Sequence, residues 1–315
     1  MSALLDQLNQ YVDIRRSLGF KYTTQPRILK NFVTFADTCG AEYVTADLFL
    51  QWRESFGHAN PQTWYHRLGP VRMFAGWLAS TDRRHEIPPS NLIPARHRRS
   101  RPYIYSDEQI RNIVRAAADL PSVFGLRGLT YSTLFGLIAV TGLRINEAIA
   151  LDDSDIDLAH SIVRVRCGKF GKERLLPVSE STSAAVMAYM KERNRLLGRT
   201  PIPLFVSEQA NRVTDCSTRY AFAAVSQNLG LRPACRFQKH GRGPRVHDLR
   251  HTFAARTMIN WYRLGLDPEK EMIKLTNYLG HVDPKSTYWY IEAVPELLQL
   301  ASERASQSLE LESVR

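Results

Sequence analysis

The sequence predicts a mainly α-helical protein with one small β-hairpin, divided into two domains. Three observations lead there. Apolar residues recur at helical spacing over most of the 315 residues. The pattern changes to strand-like runs only around residues 161–178. A stretch rich in proline and arginine between Ile87 and Tyr105 interrupts it.

The first helix carries Leu4, Leu8, Tyr11 and Leu18, with Asp6, Asp13, Arg15 and Arg16 mostly on other faces and Gly19 as its stop. A second begins near Thr24, with Pro26 in the first turn, where a missing amide donor does no harm. Thr45 is placed to cap a third. Asn60 and Pro61 cap and open a fourth, which carries Trp64, Leu68, Val71, Phe74 and Leu78. These four helices make a small all-α domain over residues 1–86. Residues 87–104, with Pro88, Pro89, Pro94 and Pro102, are expected to be a basic linker. A capping box from Ser106 to Gln109 opens the second domain, residues 105–300. Its helices run to about Leu151. Then Ile162–Arg166 and Glu173–Val178 flank a Gly168-Lys-Phe-Gly171 turn and form the hairpin. Helices resume near Ser181. The polar residues 301–315 are expected to be a free tail or a helix that docks elsewhere, including on a neighbouring protomer.

The formal net charge is +11, and arginine outweighs lysine in clusters. One cluster comprises Arg83, Arg84, Arg96, Arg98, Arg99 and Arg101. The other runs from Arg232 through Lys239, Arg242 and Arg245 to Arg250. Such a surface suits a polyanion. The four cysteines, Cys39, Cys167, Cys216 and Cys235, form no C-x-x-C pair, which excludes a zinc ribbon and a disulfide scaffold. They read as reduced, mostly buried thiols. No signal peptide or membrane span is legible, so a cytoplasmic protein without membrane contact is expected.

Chemistry concentrates in five places. Thr141-Gly-Leu-Arg-Ile-Asn-Glu147 puts Arg144 and Glu147 three residues apart. Lys169 and Lys172 lie in the hairpin turn. His247-Asp-Leu-Arg-His251 places two histidines and Arg250 on one helical face. Leu279-Gly-His281 follows, and Tyr290 stands nine residues after His281. Arginine offers a planar fork of donors to phosphodiester oxygens, histidine exchanges protons near neutrality, and a tyrosine hydroxyl can attack phosphorus. The i,i+4 histidines could chelate a metal. The metalloprotease pattern, however, needs Glu where Asp248 stands, so a phosphate site without metal or cofactor is the reading. His251 is as readily a satisfied structural histidine. Tyr288 competes with Tyr290 as nucleophile.

The ordered run R-x-x-E, G-K, H-x-L-R-H, L-G-H and T-x-x-Y resembles the tyrosine recombinase (phage integrase) family over Thr141 to Tyr290. The resemblance implies a helical core-binding domain, here residues 1–86, and an α+β catalytic domain closing on double-stranded DNA. It implies that Tyr290 attacks to give a 3′-phosphotyrosyl bond. Arg144, Arg250 and His281 then hold the non-bridging oxygens. Lys169 protonates the leaving 5′-oxygen, with Lys172 its competitor, and His247 binds phosphate and is the general base or its helper. Glu147 reads as the orienter of Arg144. Arg96, Arg98, Arg99, Arg101, Lys172, Arg242 and Arg245 are expected DNA contacts. Four protomers would act through a Holliday junction, with accessory recombinase or DNA-bending proteins as further partners, and the protein would be nucleoid-associated. A type IB topoisomerase and a catalytically idle DNA-binding regulator are the competing readings.

Overall fold

The computed structural model describes residues 3–56, 60–94, 101–166, 173–233 and 243–313. It divides into two compact units, Met1–Ser100 and Arg101–Arg315.

The first unit contains α1 (Ala3–Ser17), α2 (Gln25–Thr38), α3 (Ala46–Ser55) and α4 (Pro61–Ala79). The start signals work as the sequence suggests. Thr45 accepts from the Leu48 amide, Asn60 accepts from the Gln62 amide, and Pro26 sits in the first turn of α2. Leu4, Leu8 and Tyr11 are buried, as are all five apolar residues expected on α4. Leu18 lies past the end of α1 and is 66% exposed, because Gly19 turns the chain away with φ +82°. Part of the stretch expected as linker lies against this unit. Ile93 is buried in its core, Arg72 donates to the Pro88 carbonyl, and the Glu86 amide donates to Val44.

The second unit runs α5 (Asp107–Ala118), α6 (Leu126–Thr141), α7 (Ile145–Ala150), β1 (Ile156–Asp157), β2 (Ile162–Val165), β3 (Arg174–Pro177), α8 (Glu180–Leu197), α9 (Asp215–Asn228), α10 (Val246–Arg263), α11 (Pro268–Leu279), α12 (Lys285–Ala293) and α13 (Pro295–Ser313). The expected hairpin is present as β2 and β3, paired antiparallel with Val163 opposite Leu176. A short β1 extends it to three strands in the order β1-β2-β3. A two-residue strand carries too little pattern to be read from sequence. The hairpin turn, with Lys169 and Lys172, lies outside the described residues.

Two cores stabilise this unit. One, around Leu134, Phe135, Leu176, Phe205 and Phe222, joins α6, the sheet, α8 and α9. The other, around Ala254, Met258, Leu275, Leu279, Tyr290 and Leu297, joins α10, α11, α12 and α13. Part of the stretch expected as a tail therefore continues a helix that begins at Pro295. The two described cysteines, Cys39 and Cys216, are exposed rather than buried, since both sit on outward faces at helix ends. Among the described residues no helix is long and apolar enough to cross a membrane.

Candidate active site

The site begins with two glycines. Gly142 ends α6 at φ +64° and Gly280 ends α11 at φ +64°, a left-handed conformation that glycine adopts without a Cβ penalty. Each turn exposes carbonyls that the helix leaves unpaired. Arginines take them up. Arg250, on α10, donates to the Gly142 carbonyl at 2.5 Å and to the Leu279 carbonyl at 2.8 Å. Arg144, the N-cap of α7, donates to the Gly280 carbonyl at 2.9 Å. The turn before His281 therefore binds both arginines.

Arg250 is 1% exposed, and among the described residues no carboxylate pairs with it. Burial, then the neighbouring charge of Arg144, lowers its pKa to about 10. It keeps its charge at neutral pH, and among the described residues its hydrogen bonds go to carbonyl oxygens. A buried cation so arranged is short of one anion.

Arg144 is held differently. Glu147 Oε1 lies 2.7 Å from its Nη1, and the Arg144 amide donates to Glu147 Oε2 at 2.9 Å. Arg174, on β3, grips the same carboxylate through Nη2 at 2.8 Å and donates through Nε to the Tyr278 carbonyl. Burial alone would raise the Glu147 pKa, but Arg174 and Arg144 outweigh it and hold the carboxyl at about 2. Glu147 is thus an ionised strut between two arginines. Arg174 escaped the sequence reading. Its signal was strand alternation: it lies two residues before buried Leu176, so both point to one face of β3.

Three histidines complete the site. His281 Nδ1 lies 2.7 Å from Thr287 Oγ1, and Thr276 donates to the same Oγ1 at 3.0 Å. This contact fixes the His281 ring through Nδ1 and leaves Nε2 as the ring's other nitrogen. His247 is exposed at the start of α10. Desolvation by the surrounding protein, then the charges of Arg250, Arg245, Arg144 and Arg219, pull its pKa down to about 4. His251 is 5% exposed, and its Nδ1 lies 2.7 Å from the hydroxyl of Tyr290, itself 1% exposed. The Tyr288 side chain is 46% exposed on the same helix. Of the expected DNA contacts, Arg101 and Arg245 are exposed. Arg96, Arg98, Arg99 and Arg242 lie outside the described residues. Among the described residues no group of three or more His, Cys, Asp or Glu side chains is arranged to hold a metal ion.

Arg144, Arg250, His281, His247 and Tyr290 thus belong to one connected set, built from four helices and their ends, α7, α10, α11 and α12. The sequence model of the phage integrase family matches residues 105–296, which span all of them. The chain belongs to the phage integrase family. Members of this family, the tyrosine recombinases, are DNA strand-transfer enzymes. An integrase/recombinase of Sinorhizobium fredii (strain NBRC 101917 / NGR234), y4rB, is 39% identical over 98% of this chain and 99% of its own. The fold is shared with the integrase of transposon Tn1549 solved in complex with transposon right end DNA, at TM-score 0.64 and 16% identity over 95% of this chain and 99% of that one. It is also shared with a lambda integrase tetramer bound to a Holliday junction, at TM-score 0.54 and 16% identity over 80% of this chain and 71% of that one. This tyrosine recombinase has the mainly helical, two-part architecture expected from its sequence.

Proposed function

We propose that this tyrosine recombinase is a site-specific enzyme that cuts and rejoins double-stranded DNA through a 3′-phosphotyrosyl bond at Tyr290. The observation that carries the reading is that two neighbouring residues of α10 reach the glycine turns and Tyr290 respectively. Among the described residues no carboxylate pairs with the buried arginine, Arg250, and the next residue on the helix, His251, holds the Tyr290 hydroxyl. A DNA phosphate supplies the missing anion. Arg144, Arg250 and His281 Nε2 donate to its non-bridging oxygens and stabilise the charge that builds up there in the transition state. His247 is a further phosphate contact, and Lys169 is the acid that protonates the leaving 5′-oxygen. The phosphotyrosyl bond conserves the energy of the broken phosphodiester, so resealing needs no nucleotide cofactor. Likeness to the lambda integrase tetramer supports strand exchange by four protomers through a Holliday junction. The +11 charge and exposed Arg101 and Arg245 suit the duplex.

The test is to incubate the protein with DNA of its source genome, stop the reaction with detergent, and recover DNA covalently bound to protein. The adducts should map to discrete sites and carry Tyr290 on a 3′-phosphate. Tyr290→Phe should abolish them while leaving DNA affinity nearly intact. Adducts on Tyr288 would overturn the assignment. Relaxation of any supercoiled plasmid, with no site preference, would show a topoisomerase instead.

A further inference from the structure

The nucleophile of a phosphoryl transfer must lose a proton, and a base must lie within about 2.6–3.2 Å of the atom that carries it. Three features of the structure bear on which group this is. Tyr290 is 1% exposed, so its hydroxyl has little access to bulk water as an acceptor. His251 Nδ1 lies 2.7 Å from that hydroxyl. His247 has an exposed ring and contacts the ring of His251 edge-on, with centroids 4.5 Å apart; its side of the site faces solvent and the arginines.

From this geometry we infer that His251 is the general base that deprotonates Tyr290, leaving His247 to the phosphate. The inference rests on the phosphotyrosyl reading above. In the neutral tautomer with its proton on Nε2, Nδ1 accepts the phenolic O–H. As the Tyr290 oxygen forms its bond to phosphorus, the O–H electron pair stays on oxygen and the proton passes to Nδ1. The P–O5′ bond breaks, and the 5′-oxygen takes a proton from the acid on the other side. In the reverse step the 5′-hydroxyl attacks, and imidazolium returns its proton to the phenolate. Charge and atoms balance in both directions, and nothing outside the site is consumed.

The local sequence supports the role. His251 is one turn after His247 on α10, so both histidines share a face while differing in depth. Its ring is fixed on three sides by His247, Trp289 and Tyr290. Those rings leave it little rotational freedom, so Nδ1 is held on the phenol. Of these neighbours, His247 and Tyr290 titrate, and Arg250 is the adjacent fixed charge on the same helix. A base held this way contributes typically about 10²–10⁴-fold to rate.

The experiment measures single-turnover cleavage of a nicked duplex carrying a site mapped by the genomic trapping. Four proteins are compared: wild type, His251→Asn, His251→Ala and Tyr290→Phe. His251→Asn keeps a polar atom near Nδ1 and tests packing separately from proton transfer. The expected result is a loss of roughly 10²-fold or more in cleavage for both His251 variants, with duplex affinity unchanged. Added imidazole should restore cleavage in His251→Ala and not in Tyr290→Phe. The acid limb of the wild-type rate should vanish in His251→Asn. Wild-type cleavage and pH profile in His251→Asn would overturn the proposal, as would faster cleavage, which would make the contact a restraint on the nucleophile. A defect in His251→Ala that imidazole leaves untouched, together with a His251→Asn profile that retains its acid limb, would also overturn it. Failure of wild type to form any phosphotyrosyl adduct would sink the underlying reading and this inference with it, and is seen separately in the wild-type lane.

Discussion

The guanidinium of Arg250 reaches across to the carbonyl of Gly142, 108 residues earlier in the chain, at 2.5 Å. Gly142 presents that carbonyl from a left-handed turn, at φ +64°. A Cβ on Gly142 would lie 2.6 Å from Phe253 Cδ1 and 3.1 Å from Leu279 Cδ2. Gly142→Ala should therefore combine backbone strain with a clash, costing roughly 2–4 kcal/mol in denaturant unfolding. Gly198 provides the comparison. It has φ +63° with nothing within 4 Å of a built Cβ. Gly198→Ala should cost about 1 kcal/mol, strain alone. Equal losses in the two variants would mean that the packing around Gly142 yields.

Glu147 is the next lever. Its carboxylate joins Arg144 to Arg174, and its side chain is only 4% exposed. Glu147→Ala strands two partly buried cations and should cost roughly 3–5 kcal/mol, measured by denaturant unfolding. The acid response follows from the same contact. The folded pKa lies at about 2, below the ordinary 4.5, so the stabilisation is complete above 4.5 and is lost as pH falls towards 2. Glu147→Ala should have a flatter stability profile across that window. An unchanged profile would mean that Glu147 contributes nothing as an ion.

His247 links DNA binding to pH. Its pKa in the DNA-free protein is lowered from 6.5 to about 4, so between those values the folded protein holds fewer protons than the unfolded chain. Stability present above 6.5 is therefore lost as pH falls towards 4. A phosphate placed among Arg144, Arg250 and Arg245 reverses the local field and raises the His247 pKa. Binding then takes up a proton, and affinity should rise by up to about tenfold per pH unit on acidification within this window. His247→Gln should flatten the response at fixed salt. Asp248, whose own pKa is raised by burial, remains in both proteins, so the difference between them isolates His247. Equal slopes would remove His247 from the phosphate.

Lys169 is tested by substrate chemistry. Lys169→Ala should cripple cleavage of ordinary DNA and recover on a duplex whose leaving 5′-oxygen is replaced by sulfur, because a thiolate leaves without a proton. Arg144→Ala should not recover, since its charge is needed at the non-bridging oxygens whichever atom leaves. Recovery of Lys172→Ala in place of Lys169→Ala would transfer the acid role to Lys172.

Much of this was legible in the chain itself. Thr45, Asn60 and Ser106 announce helix starts through local side-chain chemistry, and the Trp64-to-Leu78 stripe announces a buried face, because both depend only on near neighbours in sequence. The ordered motifs from Thr141 to Tyr290 disclose the family, since residue type and spacing survive without coordinates. Contacts between distant segments are a different matter. His251 and Tyr290 are 39 positions apart, and nothing local distinguishes a histidine that packs from one that holds a phenol. Arg174 and Glu147 meet across 27 positions because the fold of β3 against α7 brings them together. Sequence alone determined which groups were available: two arginines, a tyrosine, and histidines on one helical face. Tertiary structure decided which group each one touches. The physical reason is range: propensity, capping and periodicity act over a few residues, whereas hydrogen bonds and burial depend on distances that exist only after the two cores of the second unit have closed.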